Sequence, residues 1–417
     1  MTATNWAGNH TYRAGTVHFP STVDEVREIV AGASRIRVLG SRHSFSDIAD
    51  SDELISLERL PSDVAVDREA MTVSCGGAVR YGELAVGLER EGLALSNLAS
   101  LPHIAIAGAV STATHGSGDG NGNLATAVRA LEIVTSDGSV VNVTRGDPDF
   151  EGLVVGLGAV GAVTRVTLDV EPAYQVRQRV FEELRWEDLF SHFDEITSSG
   201  YSVSVFTRWG DAVDQVWVKE RVTGVPVEDG RTLFGAMAAT QNRHPILGID
   251  PVNCTPQLSV AGPWAERLPH FRMGFTPSSG AELQSEYLIP RRQGMAPIEA
   301  VRRLSSTLRR LVQVSEIRTI AADALWMSPQ YRQDTIAIHF TWNPEPAAVK
   351  RALAEVERSL APFEARPHWG KLFLAGAGEI GPLYERLADF KPLIDRLDPR
   401  GAFRNEWLRT RVLGGEC

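Results

Sequence analysis

Three stretches carry residue types and spacings that could do chemistry. In the first, a strand-like run (RIRVL, residues 35–39) enters the turn Gly40-Ser41-Arg42-His43-Ser44. This sets two hydroxyls and an imidazole, nucleophilic while neutral near pH 7, behind a tight bend. The second is SLPHIAIAGAVSTATHGSGDGNG, residues 100–122, whose core from Gly108 to Gly118 alternates small residues with hydroxyls. Small side chains let backbone approach a ligand closely, and N–H and hydroxyl groups can donate to phosphate oxygens. The third is a pair of strand-like runs, SEIRT (315–319) and TIAIHFTW (335–342). At a strand's period of two, Glu316 and Arg318 share a face; so do Thr335, Ala337, His339 and Thr341, with Ile336, Ile338, Phe340 and Trp342 opposite. Such a polar face suits a pocket for hydroxyl groups, and on residue types alone it equally suits a solvated sheet face with a salt bridge.

A literal GxGxxG also occurs, Gly156-Leu-Gly158-Ala-Val-Gly161. A dinucleotide site on that motif needs a helix to begin there and an acid about 20 residues on in a βαβ unit. Instead AVTRVTLDV (162–170) alternates apolar and polar residues and reads as a strand. The glycines are therefore expected at a strand-to-strand turn near a ligand.

The elements around these stretches form an α+β pattern. Residues 18–39 read as strand, helix, strand, with Thr22 to Glu25 (TVDE) as a capping box. A strand is expected over 72–80, a helix over 81–91 and a hairpin over 127–143 about Ser136-Asp137-Gly138, then a glycine-punctuated apolar segment from 151 that ends as a strand near 170. Beyond Pro172 glycine thins and tryptophan appears. Strands are expected near 201–209, 282–288, 314–321 and 335–342, and helices over 298–312 and 346–360. Sixteen of the chain's 37 glycines fall within 76–161, without a G-X-Y period and amid Val, Ile, Leu and Ala. That excludes collagen and disorder and leaves tight turns or close backbone approach.

The 417 residues allow two or three domains with ordinary cores. A net charge of −10 argues against nucleic acid as the main partner. Residues 1–165 alone carry −8, so an anion bound there must be held by main-chain donors rather than a basic surface. The cysteines, Cys75, Cys254 and Cys417, are odd in number and widely spaced, which fits neither a disulfide framework nor a metal site and suits a reducing, cytoplasmic compartment. No metal and no membrane span is expected. Only four of the 42 basic residues are lysine: Lys219, Lys350, Lys371 and Lys391.

With these motifs in hand, the chain resembles the vanillyl-alcohol-oxidase-type (PCMH-type) FAD flavoproteins, and within them the bacterial alditol oxidases, also called xylitol or sorbitol oxidases. The resemblance spans nearly the whole chain. It is carried by VLGSRHSF, the run from SLPH to THGSG, LGAVG, SEIRT, HFTW, RPHWGK and the C-terminal GAFRNEW. It implies a two-domain α+β flavoprotein: an FAD-binding domain over 1–172, a substrate-binding cap on an antiparallel sheet over 173–375, and a segment over 376–417 returning to the first domain.

The resemblance assigns residues as well. His43 matches the histidine that bonds covalently to the 8α-methyl of the flavin ring. Gly40, Ser41, Ser44, Gly108, Thr112, Thr114 and His115 match pyrophosphate and ribityl contacts, with His103, Ala105 and Ala113 in the same cofactor-binding run. Arg42 stands where the family often has glycine; it leaves a left-handed backbone there unsecured by residue type and adds a cation near the FAD phosphates. Val163 matches a backbone contact near the adenine. Ala99 matches the small residue that leaves dioxygen a path to the ring, and Ser100 one that touches flavin and substrate. Glu316, Arg318, Thr341, Lys371 and His368 match polyol-binding positions; Arg318 and Lys371 are placed to stabilise alkoxide charge and His339 to take the proton. The implied reaction oxidises the terminal CH2OH of a linear polyol (xylitol, sorbitol, glycerol) to the aldehyde and reduces O2 to H2O2. The alternative within the family is an aldonolactone oxidase or dehydrogenase. A monomer is expected.

Overall fold

The computed structural model describes residues 4–223, 230–274 and 282–415; Cys417 lies outside them. The segment up to Pro172 builds two small sheets and a two-stranded pair, Leu93–Ala94 with Glu171–Pro172. Thr16–His18, Glu53–Ser56 and Ile36–Leu39 pair in parallel, in that order. The helix Val23–Gly32 joins the first and last of them, and Thr22 caps it by accepting from the Glu25 N–H as the TVDE box predicts. The second sheet is antiparallel and runs Val64–Asp67, Thr72–Gly76, Ala162–Asp169, Val128–Val134, Val140–Thr144. The predicted hairpin is thus present. The strand after GLGAVG is the central one of this sheet.

That strand explains the glycines of the literal nucleotide motif. Leu157 and Gly158 are both left-handed (φ 52° and 68°), and Gly161 has φ 131° with a Cβ direction that would meet the Val134 carbonyl oxygen at 2.5 Å. The chain is turned hard into the sheet, and no helix begins there. What precedes it is a short helix, Phe150–Val154, which the sequence reading does not include.

Beyond Pro172 one large sheet dominates. Its path is Thr232–Leu233, Ala236–Ala238, Gln175–Arg185, Ala212–Arg221, Ser202–Thr207, Val312–Ile320, Thr335–Trp342, Leu283–Pro290, Arg366–Pro367, with Gly262–Pro263 attached to the third, and every pairing is antiparallel. One face carries an aromatic stack: Trp186 on Trp209 (5.8 Å), Trp209 on Phe340 (6.1 Å) and Phe340 on Trp342 (4.9 Å). Pro346–Leu360 forms a helix as expected. The stretch expected as one helix over 298–312 is two, Ala296–Arg302 and Ser305–Leu311. The break falls at Leu304 (φ −88°, ψ 9°), and Ser305, Ser306 and Thr307 after it, residue types of modest helix propensity, open the second helix.

Arg37 ties the pieces together. Its guanidinium is buried and donates to four carbonyls: Gly158 and Phe403 (2.8 Å each), Leu157 (2.7 Å) and Ile48 (2.6 Å). Phe403 itself is buried against Val26, Val30 and Ile36, and Asn405 donates to the carbonyls of Asp47, Ile48 and Asp50. Burial lowers the Arg37 pKa to about 10, opposed by Asp398, so it stays charged. Arg37→Met keeps the stem and removes every donor. It is expected to lower stability by about 3 kcal/mol, because buried carbonyls left without partners keep their desolvation cost. A urea melt checks this; an unchanged midpoint would show that water replaces the guanidinium.

Candidate active site

A cavity of about 500 Å³ lies between the small sheets and the large one. Its first wall is the turn Gly40–Phe45 together with the segment from Ala99 to His115. Ser41 Oγ accepts from the Ala105 N–H at 2.9 Å and so fastens the two loops to each other. Arg42 has φ 62°, so the left-handed backbone is present although the residue is not glycine. Gly40, Ser41, Arg42, His43 and Ser44 all line the cavity. So do Ala99, Ser100, Ala105, Gly108, Thr112, Thr114, His115 and Val163. Two residues of the expected cofactor run do not. His103 turns its Nε2 to the Met273 carbonyl (2.9 Å), and Ala113 is wholly buried in the core with φ 51°.

His43 is poised for chemistry. Trp6 stacks on it at 5.6 Å, and its Nδ1 is buried with no hydrogen-bond partner. Burial first, then His103, Arg80 and Arg42, push its pKa down to about 4, leaving a neutral imidazole at pH 7. A Cβ at Gly108 would meet nothing within 4 Å, so the backbone there faces open space. A cavity of this volume with small-residue walls, hydroxyls at Ser41, Thr112 and Thr114, and an unpartnered imidazole nitrogen at His43 fits FAD.

The second wall is the polar face of the large sheet. Glu316 pairs across strands with His339, and His339 with Glu286. All three are buried, so the face is not solvated; it is the floor of the cavity. Glu286 in Leu283–Pro290 is the centre. It accepts from Arg318 Nη2 at 2.5 Å on one oxygen and from Lys371 Nζ at 2.6 Å on the other. His115 Nε2 stands 3.4 Å away and His339 Nδ1 3.7 Å. Burial alone would raise the Glu286 pKa, but Lys371 and Arg318 outweigh it and hold the carboxyl well below its ordinary value. Lys371 also faces His339 Nδ1 at 2.7 Å, while His339 Nε2 meets Thr341 Oγ1 at 3.1 Å. Burial and Lys371 lower the His339 pKa to about 4.

His339 is therefore neutral, with Lys371 on its accepting nitrogen. Lys371 has two of its three N–H bonds committed and one left for a ligand. His368 is buried beside His115, rings 5.7 Å apart, and its Nδ1 accepts from the Gly370 N–H. His115, Glu286 and His368 have metal-ligand types within 4.8 Å of one another, but both Glu286 oxygens are already engaged by cations. Ser100 lies where the walls meet: its Oγ is 3.5 Å from Arg318 Nη1, and its carbonyl accepts from the His270 and Phe271 N–H groups. His270 Nε2 reaches Glu316 Oε1 at 2.9 Å.

The sequence reading contains neither Glu286 nor His270. Glu286 left a trace, since Gln284 and Glu286 sit two apart in a run expected to be a strand. His270 comes from a loop with no periodic signal.

Residues 14–144 match the family model described as FAD binding domain, and residues 281–411 that described as D-arabinono-1,4-lactone oxidase. The chain is 47% identical to an alditol oxidase from a Streptomyces species, covering 99% of each. It is 29% identical to an L-gulono-1,4-lactone dehydrogenase of Mycobacterium tuberculosis over 98% of each. Its fold is similar to that of a cholesterol oxidase from B. sterolicum, with a TM-score of 0.78 at 14% identity, covering 98% of this chain and 96% of that one. Among the described residues no helix is long and apolar enough to cross a membrane.

Proposed function

The chain belongs to the alditol oxidase family of FAD-dependent oxidoreductases, and from that premise we propose that it oxidises the terminal CH2OH of linear polyols to the aldehyde, with dioxygen as acceptor and peroxide as product. The observation that carries the reading is the polar floor of the cavity: Glu316, Arg318, His339 and Thr341, buried on one face of the sheet, with Lys371 from a loop beside them. A buried donor or acceptor left unpaired costs about 1–3 kcal/mol, so such a floor favours a chain of hydroxyls over a simple alcohol. On this reading residues 1–172 hold FAD, 173–375 hold substrate, and 376–417 return to the first part.

FAD, when bound, supplies the acceptor for the hydride leaving the carbinol carbon and passes the electron pair to dioxygen. The protein's part is to hold the substrate and handle its proton. Arg318 and the free N–H of Lys371 face the oxygen on which negative charge develops. Ser100, Glu316, Thr341 and His368 hold neighbouring hydroxyls. His339 receives the hydroxyl proton at Nδ1, the nitrogen that Lys371 now covers, so Lys371 has to swing toward the substrate oxygen as the proton leaves. His43 carries the covalent bond to the cofactor, and Ala99 keeps the dioxygen approach open.

Acid precipitation of the purified protein tests the tether. Yellow colour is expected to stay in the pellet and to move to the supernatant in His43→Ala; colour in the supernatant of the unaltered protein removes the His43 assignment. A substrate panel with peroxide readout tests the reaction. Turnover of xylitol and sorbitol is expected, and turnover confined to aldonolactones overturns the polyol reading.

A further inference from the structure

Behind Glu316 lies a buried array that the proposed reaction does not use. Lys219, in the strand Ala212–Arg221, is 1% exposed. In a chain with four lysines among 42 basic residues, two of the four serve this region: Lys371, half-buried, lines the cavity, and Lys219, buried, lies behind it. Arginine is the chain's ordinary cation. Lysine at a buried position offers a compact ammonium that can lose its proton, which a guanidinium cannot.

We propose that Lys219 is a positioning residue of the polyol pocket: its ammonium fixes the tautomer of His270 and thereby holds Glu316 as the acceptor for a substrate hydroxyl. The inference rests on the polyol oxidase reading above. The geometry is a count of donors. Lys219 Nζ has three acceptors around it: the Leu268 carbonyl, the Pro269 carbonyl at 3.1 Å and His270 Nδ1 at 3.0 Å. An ammonium has three N–H bonds and satisfies all three. Donating to Nδ1 requires a lone pair there, so the ring proton sits on Nε2, which faces Glu316 Oε1 at 2.9 Å and donates to it. A neutral amine has two N–H bonds for the two carbonyls and turns its lone pair to Nδ1. With both N–H bonds held by the carbonyls, the ring proton moves to Nδ1, and a bare Nε2 faces the Glu316 carboxylate. That contact is repulsive, and Glu316 has to leave its place.

The surroundings make the array dry. The Phe206 and Trp217 rings meet His270 edge-on at 5.5 and 5.3 Å, and Ser204 Oγ is 3.5 Å from Nε2. The other titratable or charged groups acting on the array are the Cys254 thiol beside Lys219, Arg318, whose Nε is 3.6 Å from Glu316, and His339. Burial lowers the Lys219 pKa to about 7 against the pull of Glu316. Burial and Lys219 lower that of His270 to about 4, so the ring is neutral and its tautomer is the variable.

The test is kcat and KM for xylitol between about pH 5.5 and 9, in the unaltered holoenzyme and in Lys219→Arg, Lys219→Met and His270→Gln. In the unaltered enzyme KM is expected to rise about tenfold as pH passes through 7, with kcat changing less, since the lost contact is a hydrogen bond between neighbours of the substrate. Lys219→Arg cannot titrate and is expected to keep KM low to pH 9. Lys219→Met should show the high KM at every pH. Where that variant does not fold, His270→Gln decides: its carbonyl accepts from Lys219 and its amide donates to Glu316 whatever the lysine's charge, so KM should stay low and flat. Polyol turnover with KM flat across pH 7 in the unaltered enzyme, or a Lys219→Met or His270→Gln profile that matches the unaltered one, overturns the assignment of Lys219 alone. Absence of polyol turnover in the unaltered enzyme removes the underlying reading and this inference with it.

Discussion

Glu286→Ala is expected to abolish turnover and to destabilise the fold by about 3–5 kcal/mol, the size typical of stripping one partner from a buried ion pair. Each oxygen of this buried carboxylate binds a cation, Arg318 on one and Lys371 on the other. Alanine leaves a guanidinium and an ammonium close together in a dry cavity with no counter-charge between them. Glu286→Gln should cost less, since its carbonyl still serves one cation while its NH2 confronts the other. Acid resolves the electrostatic part. The Glu286 carboxyl is held well below its ordinary value by Lys371 and Arg318, against the effect of burial. Its contribution is complete above the unfolded value of 4.5 and is lost as pH falls through the depressed folded one. The stability gap between the unaltered protein and Glu286→Gln should therefore hold from pH 7 to about pH 4.5 and narrow below that toward about pH 3, as followed by urea melts. A gap constant across that range means that the carboxylate acts by packing alone.

What sequence could and could not reveal about this site follows from where its residues sit. Glu316, Arg318, His339 and Thr341 were legible because a strand's period of two sorts side chains onto faces, and the apolar partners Phe340 and Trp342 mark the opposite face. The turn Gly40–Ser44 was legible because a strand runs into it and the residue types change abruptly. The cavity's depth was not, since burial of a polar face depends on a second wall brought from 200 residues away. Residue spacing alone left a solvated face open; the segments Gly40–Phe45 and Ala99–His115 close it, while the register of Leu283–Pro290 against Thr335–Trp342 sets Glu286 beside His339 within it. His270 and Lys219 were invisible for the same reason: one is in a loop, the other on a strand whose neighbours are Val218 and Glu220, and only tertiary packing aligns them behind Glu316. The break at Leu304 is a local failure of another kind, since the apolar helical period runs unbroken through a point where the backbone leaves the helix.

Arg318→Met is expected to lower kcat by about 10²–10³-fold with a smaller change in KM, the scale for losing one preorganised donor to a developing oxyanion. Arg318 is buried and its direction is set before substrate arrives: Glu286 takes Nη2 at 2.5 Å, Ser100 Oγ lies 3.5 Å from Nη1, and Nε, 3.6 Å from Glu316, has no hydrogen-bond partner. Burial works against its charge, but Glu316 and Glu286 outweigh that and raise its pKa, so it is a cation at every pH where the fold survives. Methionine keeps the length of the stem and leaves Lys371 donating to Glu286, so the fold should persist well enough to measure. Arg318→Lys should recover little. A point charge on a flexible stem cannot span Glu286 and Ser100 at once, and an ammonium that pairs with Glu286 turns away from the substrate oxygen. Steady-state kinetics with xylitol decide the matter. Equal losses in kcat and kcat/KM place the interaction in the transition state; a loss confined to KM makes Arg318 a ground-state binder of hydroxyls. In the second case the alkoxide falls to Lys371, whose one uncommitted N–H is the other donor this floor can offer at that oxygen.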